Sequence, residues 1–122
     1  MIPLDRILLS SLLVFTAQVA TAADGRKIFN QGGENPAAMA CMSCHGPDGL
    51  GLAAAGFPRL AGLPAAYLSK QLKDFREGRR QQPIMQPLAK ALTDAEISAV
   101  SATLAAMPAP ATPDLRRQQM AA

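Results

Sequence analysis

An all-α fold with three main helices is predicted from three features of the sequence. Apolar residues recur at helical spacing in three capped segments, and no run alternates like a half-buried strand. Five consecutive residues, Cys41-Met42-Ser43-Cys44-His45, also place two thiols one helical turn apart. The first helix follows Asp24 as N-cap, carries Ile28 and Phe29, and stops at Gly32-Gly33. Glu34-Asn35-Pro36 reads as a turn and Ala37 to Cys44 as a helical turn that carries both thiols. A Gly- and Ala-rich loop occupies 46–62. The second helix begins near Pro64, which suits the first helical position. It puts Tyr67, Leu68, Gln71, Leu72 and Phe75 on one face and Lys70, Lys73, Asp74, Arg76 and Glu77 on the other, with Gly78 as its stop. The third helix opens on a capping box, Thr93 with Glu96, and turns Ile97, Val100, Leu104 and Met107 inward before Pro108 ends it.

The cysteines carry the chemistry. The chain has two Cys and one His, all within the five-residue stretch. C-x-x-C-H is the attachment signature of a c-type haem. Two thiols one turn apart can each add to a vinyl group, and the adjacent imidazole then becomes the proximal iron ligand. A thioredoxin-like thiol pair would sit after a strand in a βαβ pattern, which is absent from this sequence. A structural zinc needs four ligands, and no second Cys pair or second His is available. A Cys41–Cys44 disulfide would close too short a loop to stabilise much. One covalent haem c, bound through Cys41 and Cys44 with iron on His45, is the expected cofactor.

The iron then needs a sixth ligand or an open position. With no second His, methionine is the natural donor. Met1 lies near the N-terminus, Met39 and Met42 lie beside and within the attachment motif, and Met120 lies in a polar tail. Met107 ends a helix on its core face. Met85 remains, in Gln82-Pro83-Ile84-Met85-Gln86-Pro87, where two prolines are expected to stiffen an extended loop and exclude helix. His45 and Met85 are thus the expected metal ligands.

At 122 residues the chain fits one domain. Residues 1–22 read as a secretory signal peptide: a short start, an apolar run from Ile7 to Val19, and Ala20-Thr21-Ala22 as cleavage site. The rival is an uncleaved anchor, but the apolar run falls short of the ~20 residues that span a bilayer. Cleavage after Ala22 would deliver the protein to the periplasm. Residues 23–108 form the expected haem domain, and the Pro-rich, polar 109–122 an expected disordered tail. With no Trp, one Tyr and four Phe, side chains alone make a small core, which a porphyrin would complete. The net charge of +3 suggests a modest basic face for an acidic redox partner. No nucleic acid is expected, because no Lys/Arg run is long enough and no aromatics interleave with the basic residues.

The chain resembles the class I c-type cytochromes, most closely the small bacterial monohaem, cytochrome c-553-like kind. The resemblance rests on Gly25-Arg26-Lys27-Ile28-Phe29, Cys41 to Gly49, Phe57-Pro58-Arg59-Leu60-Ala61-Gly62, Tyr67-Leu68 with Gln71-Leu72 and Phe75, Gly78-Arg79, and Met85. It implies a small cytochrome c fold, with three main helices wrapped around one covalently attached haem. It also implies that the Pro58 carbonyl accepts a hydrogen bond from His45, that Leu60 and Leu72 pack on the porphyrin, and that Arg79 lies near a propionate. One position departs from the family. Thr103 stands where an aromatic residue of the last helix usually packs against the first, so this helix pair is expected to pack differently or more loosely.

The function implied is periplasmic one-electron transfer without catalysis, with a redox donor and acceptor as partners. Lys70, Lys73, Arg76, Arg79 and Arg80 are candidate steering charges, against the plainer reading of a solvated helix face. Alternatives are a cytochrome c subunit of a periplasmic dehydrogenase or oxidase, docking to a membrane-bound oxidase included, a haem sensor with an open sixth position, and a thiol-redox protein without haem.

Overall fold

The structure, a computed structural model, describes residues 22–110. All of the expected leader except Ala22 and nearly all of the expected tail lie outside the described residues. Five α-helices follow in order: α1 Gly25–Gln31, α2 Met42–His45, α3 Ala65–Arg76, α4 Met85–Lys90 and α5 Asp94–Ala106, with a 3-10 turn at Ala53–Ala55. Among the described residues the only extended pairing is one antiparallel bridge, Leu52 with Phe57. The three expected main helices are α1, α3 and α5.

Local chemistry sets the boundaries. The Asp24 carboxylate accepts from the Arg26 and Lys27 N–H groups and opens α1. Pro64 keeps an extended ψ of 135° and caps α3 from outside, so the helix begins one residue later than its sequence suggests. The 37–44 segment is helical only at its end. Asn35 accepts from the Ala37 N–H through its side chain and from Ala38 N–H through its carbonyl, and this turn takes up the chain before Cys41.

Helix α5 packs on both α1 and α3, and α3 packs on α4. Phe29, Ile97, Val100 and Leu104 are buried at this junction, with Leu68, Leu88, Leu92 and Met107 around them. The α1–α5 contact is tight, not loose. A β-carbon on Gly25 would lie 2.2 Å from the Ala99 carbonyl oxygen and 2.2 Å from Thr103 Oγ1. The small Thr103 lets the two backbones approach closely.

The capping box of α5 does more than close a helix. Glu96 accepts from the Thr93 N–H through one carboxylate oxygen and from the Glu34 N–H through the other, at 3.1 and 2.8 Å. It therefore ties the loop after α1 to the start of α5. Burial pushes its carboxyl up, but the N–H groups of Thr93 and Glu34 outweigh this and hold it below its ordinary 4.5. A lowered folded-state value means stability that is present above the unfolded value and lost as pH falls through the folded one. Glu96→Gln is therefore expected to cost about 1 kcal/mol at pH 7 in denaturant unfolding. The gap between variant and wild type should shrink at pH 3.

Asp74 departs from its expected place on the solvated face of α3. It is buried, because Gly78 reverses the chain and brings Arg79 back onto it. Lys70 bonds one carboxylate oxygen, and Arg79 bonds the other through Nε at 2.8 Å and Nη2 at 2.7 Å. The Lys70 ammonium, then the Arg79 guanidinium, hold the Asp74 carboxyl below the usual carboxylate range.

Candidate functional site

His45 ends α2, one residue beyond the second thiol. Its N–H bonds the Cys41 carbonyl at 3.0 Å, so Cys41, Cys44 and His45 share one turn. The chain after it folds back sharply. Gly51, at φ 78°, passes so close to Phe57 and Pro58 that a β-carbon would lie 2.6 Å from each backbone. The Leu52–Phe57 bridge closes this loop and delivers the Pro58 carbonyl to the imidazole. Nδ1 of His45 lies 2.8 Å from the Pro58 oxygen. A carbonyl only accepts, so Nδ1 carries the proton and Nε2 keeps its lone pair for a metal. The Phe57 ring meets the imidazole edge-on at 6.1 Å between centroids. His45 is buried, and its orientation is fixed from two sides.

Behind this turn lies a cavity of about 350 Å³. Cys41, Cys44, His45, Pro58, Leu60 and Met85 all line it, which are the site residues expected from the sequence. Leu72 lines it too, as implied by the resemblance. Leu68, Leu88, Leu92, Val100 and Leu104 form the apolar back wall. Burial pushes the Cys41 thiol up to about 11, so in the unmodified chain this sulfur is protonated at neutral pH and unlike the thiolate of a redox pair. Among the described residues no three His, Cys, Asp or Glu side chains cluster as a metal site.

Met85 reaches the cavity from a setting that the sequence did not suggest. It is the first residue of α4, not part of an extended loop. Pro87 falls in the first turn of that helix, where its missing N–H would have had no intrahelical partner. Pro83 alone acts as the expected breaker.

Three polar residues at the site were not placed there from the sequence, which offered Arg80 only as a candidate steering charge. Nη1 of Arg59 is buried beside the cavity without a hydrogen-bond partner, as suits an arginine that meets a carboxylate of the bound group. The Pro-Arg-Leu-Ala-Gly stretch drew attention to Arg59, but its inward direction depends on the Gly51 fold-back. Arg80 stacks 4.5 Å above the Phe75 ring and donates to Gln71 at 2.8 Å. Gln82 lines the cavity beside Met85. Arg79, by contrast, is engaged by Asp74 and Glu77 and does not line the cavity.

The expected steering charges are mostly paired. Lys70 and Arg79 meet Asp74, and Arg76 meets Asp94 and Glu77. Lys73 forms none of these pairs. The cavity rim is instead apolar, with Met39, Tyr67 and Ile84 about half exposed.

Two thiols one turn apart, one tautomer-fixed imidazole and an unpartnered guanidinium nitrogen around an apolar slot suit a porphyrin attached through thioethers. The class so defined is that of small helical proteins built around a covalent haem. The chain belongs to the cytochrome c family, whose family model matches residues 22–122. Its cofactor is haem c with iron, for which Cys41 and Cys44 are the thiols. A thiosulfate dehydrogenase electron acceptor of Stutzerimonas stutzeri (strain A1501) is 68% identical over 91 residues, 75% of this chain and 42% of that protein. Cytochrome c-554(548) of Halomonas halodenitrificans is 40% identical over 65 residues, 51% of this chain and 77% of that one. The crystal structure of reduced recombinant cytochrome c4 from Pseudomonas stutzeri superposes with a TM-score of 0.67 at 41% identity, over 71% of this chain and 48% of its own. The chain thus spans less than half the length of the first of these relatives and of the solved structure.

Proposed function

We propose that this protein is a periplasmic one-electron carrier, not an enzyme, whose haem iron is held by His45 and Met85. The observation that carries the reading is the convergence of the Cys41–Cys44 pair, His45 and Met85 on one apolar cavity. When bound, the haem supplies reversible exchange of one electron between ferrous and ferric iron. The chain's own residues bind and shield it. Cys41 and Cys44 anchor it, His45 offers Nε2 in the tautomer that Pro58 imposes, and Leu60, Leu72 and the α4–α5 wall exclude water. Export rests on residues 1–22 acting as a cleaved leader. No described helix is long and apolar enough to cross a membrane.

A second reading, service to a periplasmic dehydrogenase, is favoured by the relative that accepts electrons from thiosulfate dehydrogenase. Its partner would meet the apolar rim of Met39, Tyr67 and Ile84, since paired charges leave α3 little long-range field.

The test is a spectrum of the mature protein from a host that attaches haem c. It is expected to show a low-spin iron with a thioether charge-transfer band, which Met85→Ala abolishes while the covalent haem stays on a denaturing gel. A Met85→Ala protein that keeps the band would overturn the ligand assignment. Stopped-flow mixing with a thiosulfate dehydrogenase and thiosulfate then tests the partner, with reduction on the millisecond scale expected. A ferric protein that stays oxidised excludes that donor.

A further inference from the structure

Helix α4 begins without a cap of its own. Its N-cap position is Ile84, which has no side chain able to accept a hydrogen bond. Pro83 and Pro87 have no N–H, so the segment 83–87 has three donors, those of Ile84, Met85 and Gln86. All three go to one residue. Oε1 of Gln82 accepts from Ile84 N–H at 2.8 Å and from Met85 N–H at 2.6 Å. The main-chain oxygen of Gln82 accepts from Gln86 N–H at 3.0 Å. Met85 follows a proline-started segment with few other constraints, and its backbone is fixed through the Gln82 amide.

We infer that Gln82 is the positioning residue for Met85, holding its backbone so that the thioether stays directed into the haem cavity. This rests on the proposed reading of Met85 as the sixth ligand. Gln82 touches neither iron nor substrate by this account, and its effect is on how readily Met85 gives way to a competing ligand. A weakly held Met85 pays a smaller penalty for leaving, so an external anion should bind ferric iron more tightly.

The experiment is cyanide titration of the ferric holoprotein, followed in the Soret region, for five proteins: wild type, Gln82→Ala, Gln82→Glu, Thr93→Ala and Met85→Ala. Gln82→Ala removes both side-chain bonds and is expected to raise cyanide affinity about tenfold. Gln82→Glu keeps an acceptor oxygen at the same reach and is expected to stay within about twofold of wild type. Thr93→Ala removes a cap from α5, destabilises the protein generally, and should leave cyanide affinity unchanged. Met85→Ala sets the upper limit. If it raises affinity and Gln82→Ala does not, the Gln82 role is wrong and the ligand assignment stands. If Thr93→Ala raises affinity as much as Gln82→Ala, the effect is general loosening and the role is likewise overturned. If Met85→Ala binds cyanide like wild type, the ligand assignment itself fails.

Discussion

Replacing Cys41 and Cys44 together by Ala is expected to turn a pigmented, stably folded protein into one that releases its haem into acidified acetone and unfolds near room temperature. The first half follows from the lost thioethers. The second follows from the cavity. An apolar space of about 350 Å³ sits against Leu68, Leu88, Val100 and Leu104, the residues that join α3, α4 and α5. At roughly 24 cal/mol per Å³, the coefficient for a closed cavity, leaving it unfilled costs at most about 8 kcal/mol. Domains of this size have a net stability of about 5–15 kcal/mol. The four helices around the cavity therefore have little margin without the cofactor, although α5 has its own capping box. Far-ultraviolet circular dichroism during a thermal melt, with haem assayed by pyridine haemochrome before and after acid extraction, measures both halves. A haem-free double variant that still melts cooperatively above 50 °C would mean that the lining collapses to fill the space.

What the sequence disclosed and what it withheld divide along chain distance. Asp24, Thr93 and Glu96 could be read as caps because their partners lie within three residues. The thiols and His45 were legible because their function fixes their spacing. Met85 could be singled out by elimination as the proposed sixth ligand, and it does line the cavity, but its helix could not be foreseen. A proline at the third position of a six-residue helix looks like a breaker until the first turn is known to start at Met85. The Pro58 contact to His45 was implied only by resemblance, since it depends on a fold-back at Gly51 that no periodicity records. Asp74 was misplaced for a similar reason. A helical projection puts it beside Lys70 and Lys73, and only the reversal at Gly78 shows that Arg79 returns to cover it. Gln82 escaped notice because it caps from outside the helix, with a residue type that rarely serves as an N-cap.

Gly25→Ala is expected to be among the most damaging single changes in the chain, although it adds one methyl group. Its β-carbon would lie 2.2 Å from both the Ala99 carbonyl oxygen and Thr103 Oγ1. The hydroxyl of Thr103 can rotate away. The carbonyl cannot, because it belongs to the backbone of α5. Helix α1 must then move outward, carrying buried Phe29 and Ile28 away from Ile97 and Val100. Overpacking of this kind costs about 2–3 kcal/mol, or a fall of roughly 10–20 °C in melting temperature for a domain this small. Two companions separate the causes. Gly56→Ala adds a methyl that meets nothing within 4 Å and suffers only from its φ of 80°, so it should cost about 1 kcal/mol. Gly25→Ala with Thr103→Ala removes the hydroxyl and leaves the carbonyl, and it should recover little of the loss. Full recovery in that double variant would show that the side chain, not the backbone of α5, sets the distance between the first and last helices.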